Sequence, residues 1–194
     1  MLLYLHGFRS SPQSFKARLV QDRMREWGVG RHYACPVLDV SPAQAIARAE
    51  AAIAAARAGG ETHIAIIGSS LGGFYARWLA EKHGCRAALL NPAVHPWTDL
   101  EQYLGDQPLW HGGGTVTVER AHLQELLDLR VDRITAPERY YLLAAFPGAH
   151  TRVIDGSDHG ISGFAQFADE VLAFCGYGPA GSMALPPGAQ DSAQ

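Results

Sequence analysis

The chain has 194 residues, 47% hydrophobic and 18% charged, with a formal net charge of -3. That length suits one domain with a sizeable core, and the mild acidity leaves no electrostatic footprint for nucleic acid or an anionic membrane surface. No apolar run is long enough to span a bilayer, and three scattered cysteines, Cys35, Cys85 and Cys175, with no CxxC pair, argue against a disulfide framework or a metal site. The N-terminal MLLYLHG has no basic stretch ahead of an apolar one and a cleavage site, so no secretory signal is read and a cytoplasmic protein is expected.

In chain order, Leu2–Leu5 reads as a short buried strand. Ser14 to Trp27 reads as a helix stopped by Gly28, and Tyr33–Leu38 as a second strand. Ser41-Pro42-Ala43-Gln44 is a helix start, with Ser as N-cap, Pro in the first turn and Gln at the capping-box position. The Ala-rich helix that follows runs to about Arg57. His63–Ile67 is a continuous apolar strand, Phe74 to His83 a helix stopped by Gly84, and Arg86–Leu90 another strand. Strands that are apolar throughout and alternate with helices predict a parallel sheet covered on both faces, a three-layer α/β/α sandwich.

Trp97 to Arg133 is less regular and cap-like, with a helix over Glu119–Leu129. Its Trp97, Tyr103, Leu104, Leu109 and Trp110 either line an apolar acyl pocket or are plain core. Beyond it, Thr151–Asp155 reads as a strand and Phe164–Phe174 as a helix. From Gly176 the chain turns to Gly, Pro, Ala and Ser, with too little to bury, and is expected to be a disordered tail over 176–194.

The chemistry is concentrated in IIGSSLGGF, Ile66 to Phe74. Gly68-Ser69-Ser70-Leu71-Gly72 fits G-x-S-x-G with Ser70 at its centre, between a strand and a helix, which is the context of a nucleophile elbow. Such a turn lifts the hydroxyl above the sheet and sets it at a helix N-terminus, where developing negative charge is favoured. The Leu71 N–H then serves the oxyanion, and the loop after the first strand, His6-Gly7-Phe8, offers the Phe8 N–H as the second donor. A serine hydroxyl needs a base. His159, in the loop DGSDHG between a strand and the last helix, is the candidate. His111-Gly112-Gly113-Gly114 looks like an oxyanion motif but follows the nucleophile, and is read as a flexible loop.

LLYLHGFRSSP, IIGSSLGGFYARWLAE, LLNPAVHP and VIDGSDHGISGF occur in this order across nearly all of Met1 to Cys175. Together they resemble the α/β-hydrolase esterases, and within them the small bacterial YqiA-like group. The resemblance implies serine esterase activity on short acyl esters, no cofactor, Ser70 as nucleophile and His159 as base. It also implies a T-G-D-E loop carrying the acid, after a strand that corresponds to Arg139–Leu143. The sequence there is RYYLLAAFPGAHTRVIDG, without such a loop.

Geometry raises the same difficulty. If Arg139–Ala145 and Thr151–Asp155 are parallel strands, the few residues between them fall short of the roughly ten to twelve that a crossover takes. The two segments are then an antiparallel hairpin, or one is not a strand. Thr135-Ala136-Pro137-Glu138 could instead cap a helix through Phe146. The strand is the favoured reading. Asp155, Asp158, Asp99 and Glu101 are the available carboxylates, and none is assigned as the acid. Two function classes follow: a serine esterase acting on a small-molecule ester, and a catalytically impaired hydrolase-fold binding protein. A perhydrolase or acyltransferase would use the same serine, and oligomeric state stays open.

Overall fold

The computed structural model describes residues 1–142, 150–151, 161 and 163–179. Strand β1 (Leu2–Leu5) leads to α1 (Phe15–Glu26), then β2 (Tyr33–Ala34), α2 (Pro42–Ala58), β3 (Ala65–Ser69), α3 (Leu71–His83) and β4 (Arg86–Leu90). A short α4 (Pro96–Asp99) precedes β5 (Gly105–Pro108), β6 (Thr115–Val118) and α5 (Arg120–Asp128). The chain then forms β7 (Tyr140–Leu142), β8 (His150–Thr151) and α6 (Ala168–Phe174).

Among the described residues, six strands make one sheet in the order β2-β1-β3-β4-β7-β8, every pair parallel. Alternate side chains of each strand go to opposite faces. Leu3, Leu5, Ile66, Leu89 and Leu142 pack under α2, α3 and α5, around Ile53, Phe74, Leu79 and Leu126. Leu2, Tyr4, Ile67, Leu90 and Tyr141 pack under α1 and α6, around Val20, Met24, Phe164 and Leu172. Two apolar layers on one sheet give the expected three-layer sandwich. They also explain why the strands lack a polar face.

The order places β1 beside β3, while α1 and α3, the helices that follow them, cover opposite faces. Adjacent strands whose continuations diverge open a crevice at their C-terminal ends, the usual ligand position in an open α/β sheet.

Several elements differ from the sequence reading. The second strand stops at Ala34 rather than Leu38, since Pro36 has no N–H for a ladder. The Leu38 N–H goes to a histidine ring instead. Strand β3 starts two residues later than His63 and runs on to Ser69, and α3 begins at Leu71 instead of Phe74. At α2, Ser41 caps as expected by accepting from the Gln44 N–H at 3.2 Å. Its own hydroxyl donates to Glu125 at 2.8 Å, which ties α2 to α5.

The cap-like segment is more ordered than expected. β5 and β6 pair as an antiparallel hairpin, and His111–Gly114 lies in its loop. The proposed helix from Thr135 is corrected to a single 3-10 turn, Pro137–Arg139, leading into β7. The hairpin alternative is corrected too. β7 and β8 are parallel, with Tyr141 opposite His150 and Leu142 opposite Thr151, although only residues 143–149 stand between them. The last helix is a 3-10 turn, Phe164–Gln166, followed by α6. Of the residues expected to form a tail, 176–179 are described and are not free of the core, since Tyr177 is buried and its N–H donates to Leu172 O at 2.9 Å; residues 180–194 lie outside the described residues.

Candidate active site

β3 ends at Ser69 and α3 begins at Leu71, so Ser70 alone turns the chain from strand to helix. It does so at φ 54°, ψ -119°, a conformation that costs a residue with a side chain about 1–3 kcal/mol. The surroundings hold it there. The Ser70 N–H donates to Leu90 O at 2.9 Å, and its carbonyl accepts from the N–H groups of Gly73 at 2.9 Å and Ala93 at 3.0 Å.

Glycine makes the turn possible. A Cβ on Gly68 would lie 2.2 Å from Gly72 O, and one on Gly72 would lie 2.0 Å from Leu5 O. Strand, elbow and helix therefore meet backbone to backbone, with no room for a methyl group.

The loop after β1 abuts the serine. A Cβ on Gly7 would be 3.2 Å from Ser70 Cβ and 3.7 Å from its Oγ. His6 sets this loop in place. It is buried, with 4% exposure, and its Nε2 accepts the Leu38 N–H at 3.0 Å. An accepting Nε2 puts the ring proton on Nδ1, which faces Gly7 O at 3.1 Å. Burial lowers the His6 pKa; the Gly7 carbonyl opposes that and nearby His111 adds to it, leaving the ring below its ordinary range. His6 is thus a neutral bracket between two loops. Its partner lies 32 residues away, so no local pattern announced the role.

Ser70, Leu71, Gly7 and Phe8 line one cleft of about 800 Å³. Phe8 and Leu71, the two N–H carriers named from sequence, thus line the same cleft as Ser70. Leu71 is the first residue of α3, where N–H groups have no intrahelical acceptor. Phe8 is steadied by the Tyr103 ring, 5.6 Å between centroids.

Of the candidate acids, Asp99 lines the cleft. Glu101 does not; it is exposed and faces Arg120 at 4.0 Å. Asp155, Asp158 and His159 lie outside the described residues. Among the five apolar cap residues, Tyr103 and Trp110 line the cleft, whereas Trp97 packs against the core beside Phe74, 6.1 Å between ring centroids. Leu109 lines a separate small pocket with Tyr75 and Val116.

Other chemistries have less support. Burial pushes the thiols of Cys35 and Cys85 up to about 11, so neither is a ready thiolate, and Cys175 is fully buried. Among the described residues no cluster of His, Cys, Asp and Glu could hold a metal ion. No described helix is long and apolar enough to cross a membrane.

Residues 1–176 match the profile of a family described as "Uncharacterised protein family (UPF0227)". Among solved structures, Est1E from Butyrivibrio proteoclasticus with ferulic acid bound superposes with a TM-score of 0.61 at 14% identity. That match covers 89% of this chain and 86% of Est1E. A protein of Agrobacterium vitis S4 matches with a TM-score of 0.52 at 20% identity, over 67% of this chain. The matched part spans 61% of that protein's length. At these identities the likeness is one of fold, and it is the α/β-hydrolase fold that the sheet order and the elbow display.

Proposed function

The chain belongs to the UPF0227 family, and from its cleft we propose that it is a serine hydrolase of short-chain carboxylic esters. One observation carries the reading: Ser70 is held in a strained left-handed turn on the wall of a cleft of about 800 Å³, which it shares with Phe8 and Leu71. Strain of this kind persists where the surroundings over-determine it, and it concentrates at sites of chemistry.

In the proposed reaction Ser70 Oγ attacks the ester carbonyl while His159 takes its proton. The N–H groups of Phe8 and Leu71 stabilise the tetrahedral oxyanion. His159 returns the proton to the departing alcohol, leaving an acyl group on Ser70. Water, activated by the same histidine, then attacks the acyl-enzyme and frees the carboxylic acid. No cofactor enters these steps. The proposed substrate is a small-molecule ester.

A second reading is supported by the brevity of 143–149, where the family resemblance would place an acid-bearing loop. A hydrolase fold without the acid would bind ligands and turn them over poorly. Removing the acid of a triad lowers kcat by on the order of 10⁴ while serine, histidine and oxyanion donors retain some catalysis.

Hydrolysis of p-nitrophenyl acetate and butyrate by wild type and Ser70→Ala separates the two. Turnover that vanishes in Ser70→Ala and falls steeply in His159→Ala supports the esterase. Turnover that is unchanged in Ser70→Ala refutes it, and a folded wild type without turnover favours the binding protein.

A further inference from the structure

Three strongly exposed apolar side chains gather at one place. Phe15 is 60% exposed, Val94 49% and Trp110 65%, and all three line the cleft that holds Ser70. They come from separate elements: the start of α1, the loop after β4, and the β5–β6 loop. An apolar rim assembled from three separate elements around a polar centre is how a ligand pocket combines binding area with a few orienting groups.

Trp110 is the largest of the three and is the one held in place. Its backbone N–H donates to Arg9 O at 2.9 Å. The Arg9 guanidinium lies over its ring, 4.2 Å from the centroid, and Arg9 Nε donates to Pro108 O on the same hairpin. Arg9 is itself in the left-handed region, at φ 59°, so backbone strain is spent on this clamp next to the oxyanion loop.

With one face under a guanidinium and the side chain still mostly exposed, the open part of the indole belongs to the cleft. Its partner there would be another flat ring, since aromatic pairs gain stability beyond the area they bury. The alternative, a tryptophan fixed in this way only to meet water, leaves the clamp without an effect.

We propose that Trp110, clamped by Arg9, is the binding platform for a flat aromatic group carried by the ester substrate. This rests on the esterase reading for the position of the ester, but its test does not need turnover. The ring could sit on the acyl side or the alcohol side of the ester, and two esters distinguish these: methyl cinnamate and 2-phenylethyl acetate.

The experiment titrates each ester into Ser70→Ala protein, which cannot form the acyl-enzyme, and into the double variants that add Trp110→Ala, Trp110→Phe or Val37→Ala. Val37 is an equally exposed apolar side chain, 59%, that does not line the cleft. The expected result is saturable binding of at least one ester that weakens about five- to tenfold in Trp110→Ala, recovers most of its strength in Trp110→Phe and is untouched by Val37→Ala. The ester that loses more identifies the side of the bond on which the ring lies. Equal affinities in the presence and absence of Trp110, or no saturable binding of either ester, would overturn the proposal. Failure of the esterase reading shows elsewhere, as turnover that survives Ser70→Ala.

Discussion

Among the described glycines, Gly72→Ala should place the most damaging methyl group. The new Cβ would stand 2.0 Å from Leu5 O, 2.5 Å from Leu5 C and 2.7 Å from His6 O, where real Cβ contacts essentially never fall under 3.0 Å. Clearing the first contact takes about 1 Å of movement. No flexible side-chain end can supply it, because all three atoms are backbone at the end of β1. Leu5 is also pinned on its other side, in register with Gly68 of β3. The displacement must therefore pass into the elbow or into the loop carrying Phe8. Overpacking of this kind costs about 1–3 kcal/mol, and each kcal/mol is worth roughly 2–4 °C in a domain of this size. A loss of about 2–12 °C in Tm is expected, together with a fall of about 10²-fold in p-nitrophenyl acetate kcat/KM, the scale of a 1 Å misplacement in an active site. Gly7→Ala is the comparison. Its Cβ would meet Ser70 Cβ at 3.2 Å and Ser69 O at 3.3 Å, so a few tenths of an ångström suffice, and Tm should drop by about 2 °C or less while turnover still falls. Scanning calorimetry and initial rates read both effects. A Gly72→Ala protein with the Tm and turnover of wild type would refute this account of the elbow.

Ser70→Gly should abolish turnover and yet stabilise the fold, because glycine adopts the Ser70 conformation without penalty. Relief of about 1–3 kcal/mol of strain less the roughly 0.5–1 kcal/mol entropy cost of glycine leaves a gain of up to about 2.5 kcal/mol, a rise of up to about 10 °C in Tm; a lower Tm would mean the turn is not strained. His6 should make stability fall on the acid side. Its folded pKa is depressed, so below about 6.5 the unfolded chain binds the proton that the folded one refuses, and stability decreases as pH drops from there. Urea midpoints of wild type and His6→Gln from pH 8 to pH 5 test this, with a shallower acid slope expected in the variant. Glu81 acts in a lower window. Its burial would raise the pKa, but hydrogen bonds from Thr135 and Tyr140 and the charge of Arg139 outweigh it and hold the carboxyl below its usual range. The stability it provides is present above about 4.3 and lost as pH falls further. Tyr140→Phe, which removes the hydroxyl that donates to Glu81, should cost about 1.5–3 kcal/mol at pH 7 by chemical denaturation.

How far the sequence was readable depended on the range of the signals. The strand–Ser70–helix context was visible in nine residues, since glycine spacing and an apolar run are local. The parallel sheet was visible in the uniformly apolar strands. The depth of packing behind the elbow was not, because the atoms that forbid a Cβ on Gly72 belong to Leu5 and His6, more than sixty residues earlier. Glu125 as an additional tie at the start of α2, and Leu38 as the partner of His6, are long-range for the same reason. The β5–β6 hairpin escaped notice because Gly105-Asp106-Gln107-Pro108 is polar and exposed, with none of the apolar alternation that marks a strand. Only the Thr-Val alternation of β6 carried that signal.

The strained residues connect these levels. Arg9, Ser70 and Asn91 hold positive φ values of 59°, 54° and 44° without being glycine. They stand just after the ends of β1, β3 and β4, three neighbouring strands of the sheet. Residues that only fill space would relax into ordinary conformations, because each such outlier costs about 1–3 kcal/mol against a total stability of about 5–15 kcal/mol. Here each is tied by hydrogen bonds that cross between loops. Trp110 N–H reaches Arg9 O, Ser70 N–H reaches Leu90 O, and Ala93 N–H, two residues beyond Asn91, reaches Ser70 O. These three mark the rim of one crevice, where loops from adjacent strands pass close to each other; the fourth such residue among those described, Ile161 at φ 52°, lies ahead of the last helix. A pocket whose walls are fixed in advance does not have to be ordered when a ligand arrives, and that saving is available to binding and to catalysis alike.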